Sequence, residues 1–163
     1  MIISLIAAIG KNNELGLNNK LIWNIPNDLK FFRNVTLNKT VLMGSNTYYS
    51  IGRPLPKRNN IVLTHKNINN DKITVYNSIF KFIEDYKNYQ DEIFIIGGAS
   101  VYREFIDMAD NLYLTEIEEE CSVADTYFPY FDKKLYDKEF IDECVENGIS
   151  YKHVLYKRSK YER

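Results

Sequence analysis

Short runs of apolar residues alternate along this chain with stretches that have the spacing of amphipathic helices. Each run has the length of a β-strand and is bounded by glycine, asparagine or a charged residue. The runs are IISLIAAI, TVLMG, NIVLTH, ITVY, EIFIIGG and NLYLTEI. The helical stretches are residues 26–36, 46–51, 78–87 and 99–107. This alternation predicts an α/β domain with a mainly parallel sheet that helices cover on both faces.

The C-terminal third of the chain has a different pattern. YDKEFIDECVE and YKHVLYKR are typical of alternating strands, and Asn147-Gly148 between them is a strong signal for a tight hairpin turn. The sequence therefore predicts a mixed sheet of eight strands that ends in an antiparallel C-terminal hairpin. No repeat, low-complexity segment or linker interrupts the chain, so we expect one domain over residues 1–163.

Composition and charge exclude several classes of function. The chain is 45% hydrophobic and 26% charged with a formal net charge of -1, so no basic excess favours nucleic acid as a partner. The first apolar run meets Lys11 too early for a membrane span or a secretory signal. Cys121 and Cys144 lack a paired spacing, which indicates reduced thiols and no metal site. We expect a cytoplasmic protein that does not bind membranes.

Two strand-to-helix turns have the composition of a phosphate site. One strand ends in Gly97-Gly98 and passes directly into a helix, and another ends at Gly44 before the polar residues 45–47. Glycine lets a ligand approach the backbone, and a helix start directs N–H groups and a positive dipole end towards an anion. Two such turns could face one pyrophosphate. The alternative at each glycine is a simple tight turn, and neither G-x-G-x-x-G nor the P-loop motif is present.

Asp28 lies where an apolar side chain is expected. NIPNDLKFF starts a helix with Pro26 in its first turn, and Asp28 falls within an apolar stripe of that helix. The stripe consists of Leu29, Phe31, Phe32 and Val35. In one interpretation the helix dipole favours an acid in the first turn. In the other, a partly desolvated carboxylate binds a planar heterocycle that offers two parallel donors, with Trp23 as a flat wall.

Several segments together resemble the bacterial chromosomal type of the dihydrofolate reductase family. They are SLIAAIG, IWNIPNDLKFF with Gly16 in the loop before it, TLNKTVLMG, SIGRPLPKRNNIVLTH, IFIIGGASVY, LYLTEI and DTYFP. The segments follow the family's order from residue 2 to about residue 130, while the terminal hairpin agrees in pattern more than in identity. The resemblance implies an enzyme that reduces 7,8-dihydrofolate to 5,6,7,8-tetrahydrofolate with NADPH for one-carbon metabolism. The hydride would pass to C6 and a proton to N5. A monomer is the default expectation, since no exposed helical stripe in the sequence suggests a partner.

The resemblance also implies roles for single residues. Asp28 would bind the 2-amino group and N3 of the pterin, Thr115 would support it, and Trp23 would hold a water molecule. Leu21 lies in the gating loop, whose closure excludes water in this family. The pterin and benzoyl pocket would be lined by Ile6, Ala7, Leu29, Phe32, Ile51, Leu55 and Ile96. Arg58 would clamp the glutamate tail with Arg53 nearby, although a solvated surface arginine is the alternative for both.

The cofactor site is assigned in the same way. The positions implied are Ala8, Leu15, Gly16, Gly44, Ser45, Asn46, Thr47, Leu63, Thr64, His65, Gly97, Gly98, Ala99, Ser100, Val101 and Tyr102. The backbones of Ala8 and Leu15 would meet the nicotinamide carboxamide, and the glycine turns would surround the pyrophosphate. Thr64 and His65, beside Lys66, would contact the 2'-phosphate of the adenosine.

The chain departs from the family pattern at three places. Ser45 and Asn46 replace a basic residue of many bacterial relatives, Leu-Ile at residues 21–22 replaces a frequent Met-Pro, and one extra residue lies between Ile117 and Asp125. His153 lies in the terminal strand and is interpreted as structural.

Two other functions stay open at the level of sequence. A relative of the same fold could reduce another heterocycle, as the reductase half of riboflavin biosynthesis enzymes does. A non-enzymatic nucleotide-binding module could retain only the cofactor turns. Asp28 with the Arg-Pro-Leu-Pro loop argues against the first. Asp28 with Arg58 argues against the second, because a sensor of nucleotide alone needs neither a buried acid nor a clamp for a tail. The zinc deaminase motifs H-x-E and P-C-x-x-C are also absent.

Overall fold

The apolar runs of the sequence form the central strands of the fold in a computed structural model, which describes residues 1–159. The strands are β1 (Ile2–Ile9), β2 (Glu14–Leu17), β3 (Lys20–Leu21), β4 (Thr40–Gly44), β5 (Asn59–Leu63), β6 (Ile73–Tyr76), β7 (Glu92–Ile95), β8 (Asn111–Ile117), β9 (Thr126–Tyr127), β10 (Tyr136–Glu146) and β11 (Ile149–Arg158). The α-helices are α1 (Pro26–Thr36), α2 (Ser45–Ile51), α3 (Ile79–Tyr86) and α4 (Ala99–Phe105). Short 3-10 turns cover Ile106–Met108 and Lys133–Leu135.

The main sheet has eight strands in the order β10-β11-β8-β1-β7-β4-β5-β6. Strand β11 is antiparallel to both of its neighbours, whereas the other adjacent pairs from β8 to β6 are parallel. The turn between β10 and β11 contains Asn147 and Gly148 at φ 53° and 75°, left-handed values that this dipeptide adopts readily. The predicted mixed sheet with a C-terminal antiparallel hairpin is therefore confirmed.

Helices pack on both faces of the sheet, as predicted. Helices α3 and α4 contribute Phe82, Val101 and Phe105 to one core cluster, which also contains Leu5 of β1. On the opposite face, α2 contributes Tyr48 to a second cluster, and half-buried phenylalanines of α1 pack against it. The central strand β1 is flanked by β7 and β8, so its C-terminal end lies between helices of both faces.

Two features differ from the sequence-based expectation. Strand β10 does not alternate between buried and exposed positions, because it is an edge strand whose residues 137–143 are all exposed. A second sheet, in the order β3-β2-β9, was not predicted. Its strands have only two to four residues, and pairing with a distant segment stabilises them rather than an apolar pattern of their own. Within residues 1–159, no helix has the length and apolar character needed to cross a membrane.

Candidate active site

Asp28 lies in the first turn of α1, and its carboxylate is bound from the side of the sheet. Its backbone N–H donates to Ile25 O at 2.9 Å, as expected at a helix start. The hydroxyl of Thr115 donates to Asp28 Oδ1 at 2.5 Å, and His153 Nε2 lies 2.9 Å from the same oxygen. The Asp28 side chain is 19% exposed. The carboxylate is therefore a fixed acceptor, not only a favourable charge at a helix end.

The pairing of strands explains why these groups meet. Ala8 of β1 pairs with Thr115 of β8, and Thr115 pairs with His153 of β11. His153 in turn lies opposite Asp142 of β10. Directly paired residues of neighbouring strands point to the same face of a sheet. One row of side chains therefore crosses four strands, with Asp28 of α1 above its centre.

His153 is the residue that the sequence interpretation missed. Its ring contacts Asp28 through Nε2 and Asp142 through Nδ1, the latter at 2.6 Å. The ring is 2% exposed and stacks on Phe31, with 3.8 Å between centroids and 9° between planes. The signal in the sequence was the alternation of β11, which places His153 on the same inward face as Tyr151.

The predicted pterin and benzoyl positions separate into two groups. Ile6, Phe32, Leu55 and Ile96 belong to the same cluster between the sheet and helices α1 and α2. Ala7 packs instead against the cluster on the opposite face of the sheet. Leu29 and Ile51 are apolar but 54% and 37% exposed, so they offer surface to a ligand rather than to the core. The structure thus provides an apolar wall beside Asp28.

Arg58 is held in place by two hydrogen bonds. Its Nε donates to Pro56 O at 2.9 Å, and its Nη1 donates to Thr36 Oγ1 at 3.1 Å. Partial burial of the guanidinium, with the charge of Arg33 nearby, lowers the pKa of Arg58. Arg53 is exposed. Arg58 is therefore oriented before any anion binds, in contrast to a freely solvated arginine.

Asn60 is a second residue that sequence reasoning did not find. It is buried in β5, where its Oδ1 accepts from Leu55 N at 2.9 Å. Its Nδ2 donates to Leu55 O at 2.9 Å and to Arg58 O at 3.0 Å. One amide side chain thus fixes the backbone of the loop that carries Arg58. No pattern in the sequence distinguishes Asn60 from the other asparagines.

The two glycine turns lie side by side. Gly44 N donates to Gly97 O at 2.9 Å, and the Gly97-Gly98 peptide bond is cis. A Cβ at Gly98 would lie 3.6 Å from Thr47 Oγ1, and one at Gly44 would lie 3.0 Å from Val101 Cγ2. Helices α2 and α4 begin beside these turns, and within residues 1–159 no side-chain cap binds the first N–H groups of either helix. The two helix starts are adjacent, but their binding of a pyrophosphate stays a prediction.

Tyr102 connects α4 to the central strand. Its hydroxyl donates to Ile6 O at 2.6 Å, and the side chain is 4% exposed. Burial raises the pKa of Tyr102, so the hydroxyl remains a donor at neutral pH. Gly97 lies against the ring of Tyr102, and a Cβ built on this glycine would lie 3.4 Å from the Cε2 atom of the ring. The tyrosine thus fixes the position of the second glycine turn relative to β1.

The predicted gating loop, GLNNKLIWN, includes the end of β2 and all of β3 and is bound to the segment that carries the extra residue. Gly16 of β2 pairs with Thr126 of β9. Glu14 is buried, and its carboxylate accepts from Asn12 N at 2.7 Å and from Cys121 N at 2.6 Å. Burial alone would raise the pKa of Glu14, but backbone hydrogen bonds outweigh it and lower the pKa below 4.5. Glu14 therefore joins the gate to residues 118–127 as an ionised group.

The remaining predicted residues lie at the ends of this loop and of β5. Ala8 and Trp23 pack against one small cluster, whereas Leu21 is 69% exposed. After Leu63, which ends β5 half-buried, Thr64 N donates to Tyr76 O at 2.8 Å.

A basic residue follows Thr64 and approaches α2. Thr64 Oγ1 accepts from Lys66 N at 3.1 Å, and His65 is exposed. Lys66 Nζ lies 5.4 Å from the ring centre of Tyr49 in α2. The ammonium group thus reaches the helix that begins with Ser45 and Asn46, where the chain has no basic residue of its own.

Comparison with known proteins gives one consistent family. The family described as dihydrofolate reductase matches residues 2–158. A dihydrofolate reductase of Buchnera aphidicola subsp. Baizongia pistaciae is 44% identical over 155 residues, covering 91% of this chain and 93% of the relative. One from Bacillus subtilis is 36% identical over 159 residues, covering 96% and 94%. A solved structure, dihydrofolate reductase from Enterococcus faecalis complexed with NADP(H) and RAB-propyl, has a TM-score of 0.88 at 31% identity and covers 98% of this chain and 97% of that chain.

Proposed function

The chain belongs to the dihydrofolate reductase family and reduces 7,8-dihydrofolate to tetrahydrofolate with NADPH, and we propose that this reaction is organised around the carboxylate of Asp28. The observation that carries the proposal is the position of that carboxylate, fixed by Thr115 and His153 beside an apolar wall. A fixed, partly buried carboxylate suits the recognition of a flat heterocycle with paired donors.

Counting acceptor sites supports pterin recognition by Asp28. A carboxylate offers about four lone-pair sites on its two oxygens. Thr115 and His153 occupy two of them, both on Oδ1. The remaining sites lie on Oδ2, which is open to one of the two parallel donors of a pterin, the 2-amino group and the N3–H, while the second donor would share Oδ1 with Thr115 and His153. Such charge-assisted pairs are stronger than neutral hydrogen bonds and fix the orientation of the ring.

Asp28 also prepares the pterin for reduction. Addition of a hydride to a C=N bond is easier when the nitrogen is protonated. A negative carboxylate bound to the far side of the ring raises the proton affinity at N5. Asp28 itself does not reach N5 in this scheme, so the proton arrives through water held near Trp23. Leu21 of the gate shields the ring from bulk solvent, which strengthens the electrostatic effect of Asp28.

The residues of the two glycine turns fit a dinucleotide. Glycine at position 98 leaves room beside Thr47 where a Cβ would stand, glycine at position 44 lets Val101 pack against the turn, and the N–H groups at the starts of α2 and α4 suit a pyrophosphate. NADPH supplies the hydride for the reaction when it is bound. We assign its 2'-phosphate to Thr64, His65 and Lys66, because Lys66 provides the positive charge that Ser45 and Asn46 lack.

Arg58 is assigned to the glutamate tail of the substrate. Its guanidinium is oriented by Pro56 and Thr36 and keeps donors for a carboxylate, which it can bind through two parallel hydrogen bonds. Arg53, more exposed on the same loop, adds a weaker attraction.

We also propose that the chain acts as one domain and as a monomer in the cytoplasm. Support comes from a family match over residues 2–158, from the two free cysteines, which suit a reducing compartment, and from a net charge of -1. Size-exclusion chromatography with light scattering tests the monomer, and a mass near 38 kDa, about twice 19.2 kDa, would contradict it.

The activity is tested by following absorbance at 340 nm with purified protein, dihydrofolate and either NADPH or NADH. We expect oxidation of NADPH that depends on dihydrofolate, and a higher KM for NADH. Oxidation that proceeds equally without dihydrofolate, or only with a flavin precursor, would overturn the proposal.

Replacing Lys66 by alanine should raise the KM for NADPH and leave the KM for NADH unchanged. The same change at exposed Lys72 serves as control.

A further inference from the structure

His153 lies between two carboxylates in a row of side chains that leads from the active site to the surface. Its Nε2 contacts Asp28 Oδ1 at 2.9 Å, and its Nδ1 contacts Asp142 Oδ1 at 2.6 Å. The ring is 2% exposed, Asp28 is 19% exposed and Asp142 is 56% exposed. The proposed reaction uses Asp28 and its hydrogen bond to His153, but it assigns no part to Asp142 or to the charge on the His153 ring.

The chemistry of the three groups determines the charge on the ring. An ionised carboxylate can only accept hydrogen bonds, so each ring nitrogen must donate to its partner. An imidazole donates from both nitrogens only when it is protonated. With Asp28 and Asp142 ionised, His153 is therefore an imidazolium. Neutral imidazole would turn one lone pair towards a carboxylate oxygen less than 3 Å away, as both distances show.

The elements that pack against the His153 ring carry few groups that could change its charge. Helix α1 presents Asp28, strand β10 presents Asp142, and β8 presents the uncharged Thr115. On β11 itself, Tyr151 lies edge-on to the ring, and burial raises its pKa to about 12, so it is neutral near pH 7. Two negative groups and no cation thus face His153 among these contacts.

The direction of titration agrees with this geometry. Burial of the ring disfavours its charged form and alone would lower the pKa of His153. The hydrogen bonds and negative charges of Asp28 and Asp142 outweigh burial, so the pKa of His153 lies above 6.5. The imidazolium therefore persists to higher pH than that of a free histidine and is lost as the pH rises further.

We propose that His153 is a positioning residue for Asp28, acting as an imidazolium that bridges Asp28 and Asp142 and fixes the carboxylate that receives the pterin. The inference rests on the role proposed for Asp28 in substrate binding. Asp142 at the exposed edge keeps the ring charged and oriented, and His153 transmits this to the site. When the ring loses its proton, one of its two donated bonds is lost and Asp28 binds the pterin less well.

Substitutions at positions 153 and 142 distinguish an effect of the charge on His153 from an effect of the packing of its ring. Phenylalanine at position 153 would keep the stack on Phe31, which has parallel rings 3.8 Å apart, but would donate no hydrogen bond. Glutamine could donate one hydrogen bond to Asp28 but would not titrate. Asparagine at position 142 would remove the outer charge and leave the site untouched. Asp137→Asn, a matched change at an exposed carboxylate of the same strand, serves as control.

The first measurement follows the protonation of His153 directly. The chain has two histidines, so NMR of the ring nitrogens gives one signal from His153 and one from exposed His65 as an internal reference. We expect the His153 ring to titrate above pH 6.5, and to titrate at lower pH in Asp142→Asn but not in Asp137→Asn. A ring that is neutral near pH 6, or one that Asp142→Asn does not affect, would overturn the bridge.

The second measurement is the dissociation constant of folate as a function of pH, followed by quenching of Trp23, the one tryptophan of the chain. We expect wild-type affinity to weaken as the pH rises through the titration of His153. His153→Phe should weaken binding about tenfold or more near neutral pH, the effect of losing one hydrogen bond to a charged group. His153→Gln should bind within about threefold of wild type and lose the pH dependence. An unchanged pH profile in both variants would contradict the inference.

Asp28→Asn in the same binding assay distinguishes a failure of the role proposed for Asp28 from a failure of the role proposed for His153. If Asp28→Asn binds folate normally, the proposed role of Asp28 fails and the inference fails with it. If Asp28→Asn binds poorly while His153→Phe and His153→Gln keep the wild-type profile, only the role of His153 fails. Should His153→Phe not fold, His153→Gln and Asp142→Asn still decide the question, because the latter changes only an exposed position.

Discussion

The proposed site has a pterin half and a cofactor half, and one is formed by side chains and the other by backbone. The pterin half depends on side chains, with Asp28, Thr115 and His153 in one hydrogen-bonded group and Arg58 on a loop that Asn60 fixes. The cofactor half depends on the backbone, where glycines let two helix starts approach each other. A change of charge that keeps the shape of a side chain should therefore damage the pterin half, whereas only added volume should damage the cofactor half.

The largest effect is expected from Asp28→Asn, which keeps the shape of the pterin half and removes its charge. We expect kcat for dihydrofolate at neutral pH to fall by about 10²–10⁴-fold, the usual contribution of a group that assists proton transfer. Binding of NADPH should stay nearly intact, because the cofactor half does not use this side chain. Steady-state kinetics and a fluorescence titration with NADPH measure the two quantities. Asp71→Asn, at an exposed position, is the control, and a variant with full kcat would refute the assigned role.

A smaller effect on the pterin half is expected from Arg58→Ala. Loss of a charge-assisted pair should raise the KM for dihydrofolate by about 10- to 100-fold, with little change in kcat. A pterin without the glutamate tail should be reduced equally well by both proteins. Arg53→Ala is the matched control and should act more weakly, since that side chain is exposed. An equal loss with the tail-less substrate would show that Arg58 acts on the fold of its loop instead.

The cofactor half is tested by adding one methyl group. In Gly44→Ala the new Cβ would lie 3.0 Å from Val101 Cγ2, so the Val101 side chain at the start of α4 has to move by a few tenths of an ångström. We expect weaker NADPH binding and a loss of about 1–3 kcal/mol in the free energy of unfolding, typical of overpacking. The double variant with Val101→Ala should recover both quantities, because it removes the clash. If the double variant gains stability but not affinity, the methyl group itself obstructs the cofactor.

The smallest effect on chemistry is expected from Glu14→Gln, in the loop that adjoins both halves. The change weakens hydrogen bonds to Asn12 N and Cys121 N, so we expect a loss of about 1–3 kcal/mol in stability, measured by urea unfolding. Because folding lowers the pKa of Glu14 below 4.5, its contribution is present above pH 4.5 and is lost as the pH falls through the folded value. The variant should therefore lose less stability than wild type on acidification below pH 4.5. Glu118→Gln, at an exposed position nearby, should match wild type.

Much of the architecture followed from local pattern. Helix α1 has the predicted bounds, and the other predicted helices differ by one or two residues at their ends, where terminal turns are short. The small sheet of β2, β3 and β9 was not predictable in this way, because its strands have only two to four residues and pair with a distant segment. The sequence of the edge strand β10 alternates between apolar and polar residues, but residues 137–143 are all exposed. The alternation therefore does not place one face of this strand in the core.

The candidate site divides in the same way. Asp28 was visible because a carboxylate interrupts an apolar helical stripe, and the glycine turns were visible because they follow buried strands. Asn60 was not visible, since its importance lies in three hydrogen bonds to a loop and not in its neighbours along the chain. His153 was visible as an inward-facing residue of β11 but not as a partner of Asp28.

Local sequence is enough to predict the succession of strands and helices along the chain, the acid in α1 and the two glycine turns, because each depends on residues that are close together in the sequence. That Thr115, His153 and Asp142 form one row beneath Asp28 follows from the tertiary fold alone. The register between β8, β11 and β10 sets that row, and it joins residues 11 to 125 positions apart. Hydrogen bonds across such separations depend on how strands pair, which no local pattern of side chains specifies.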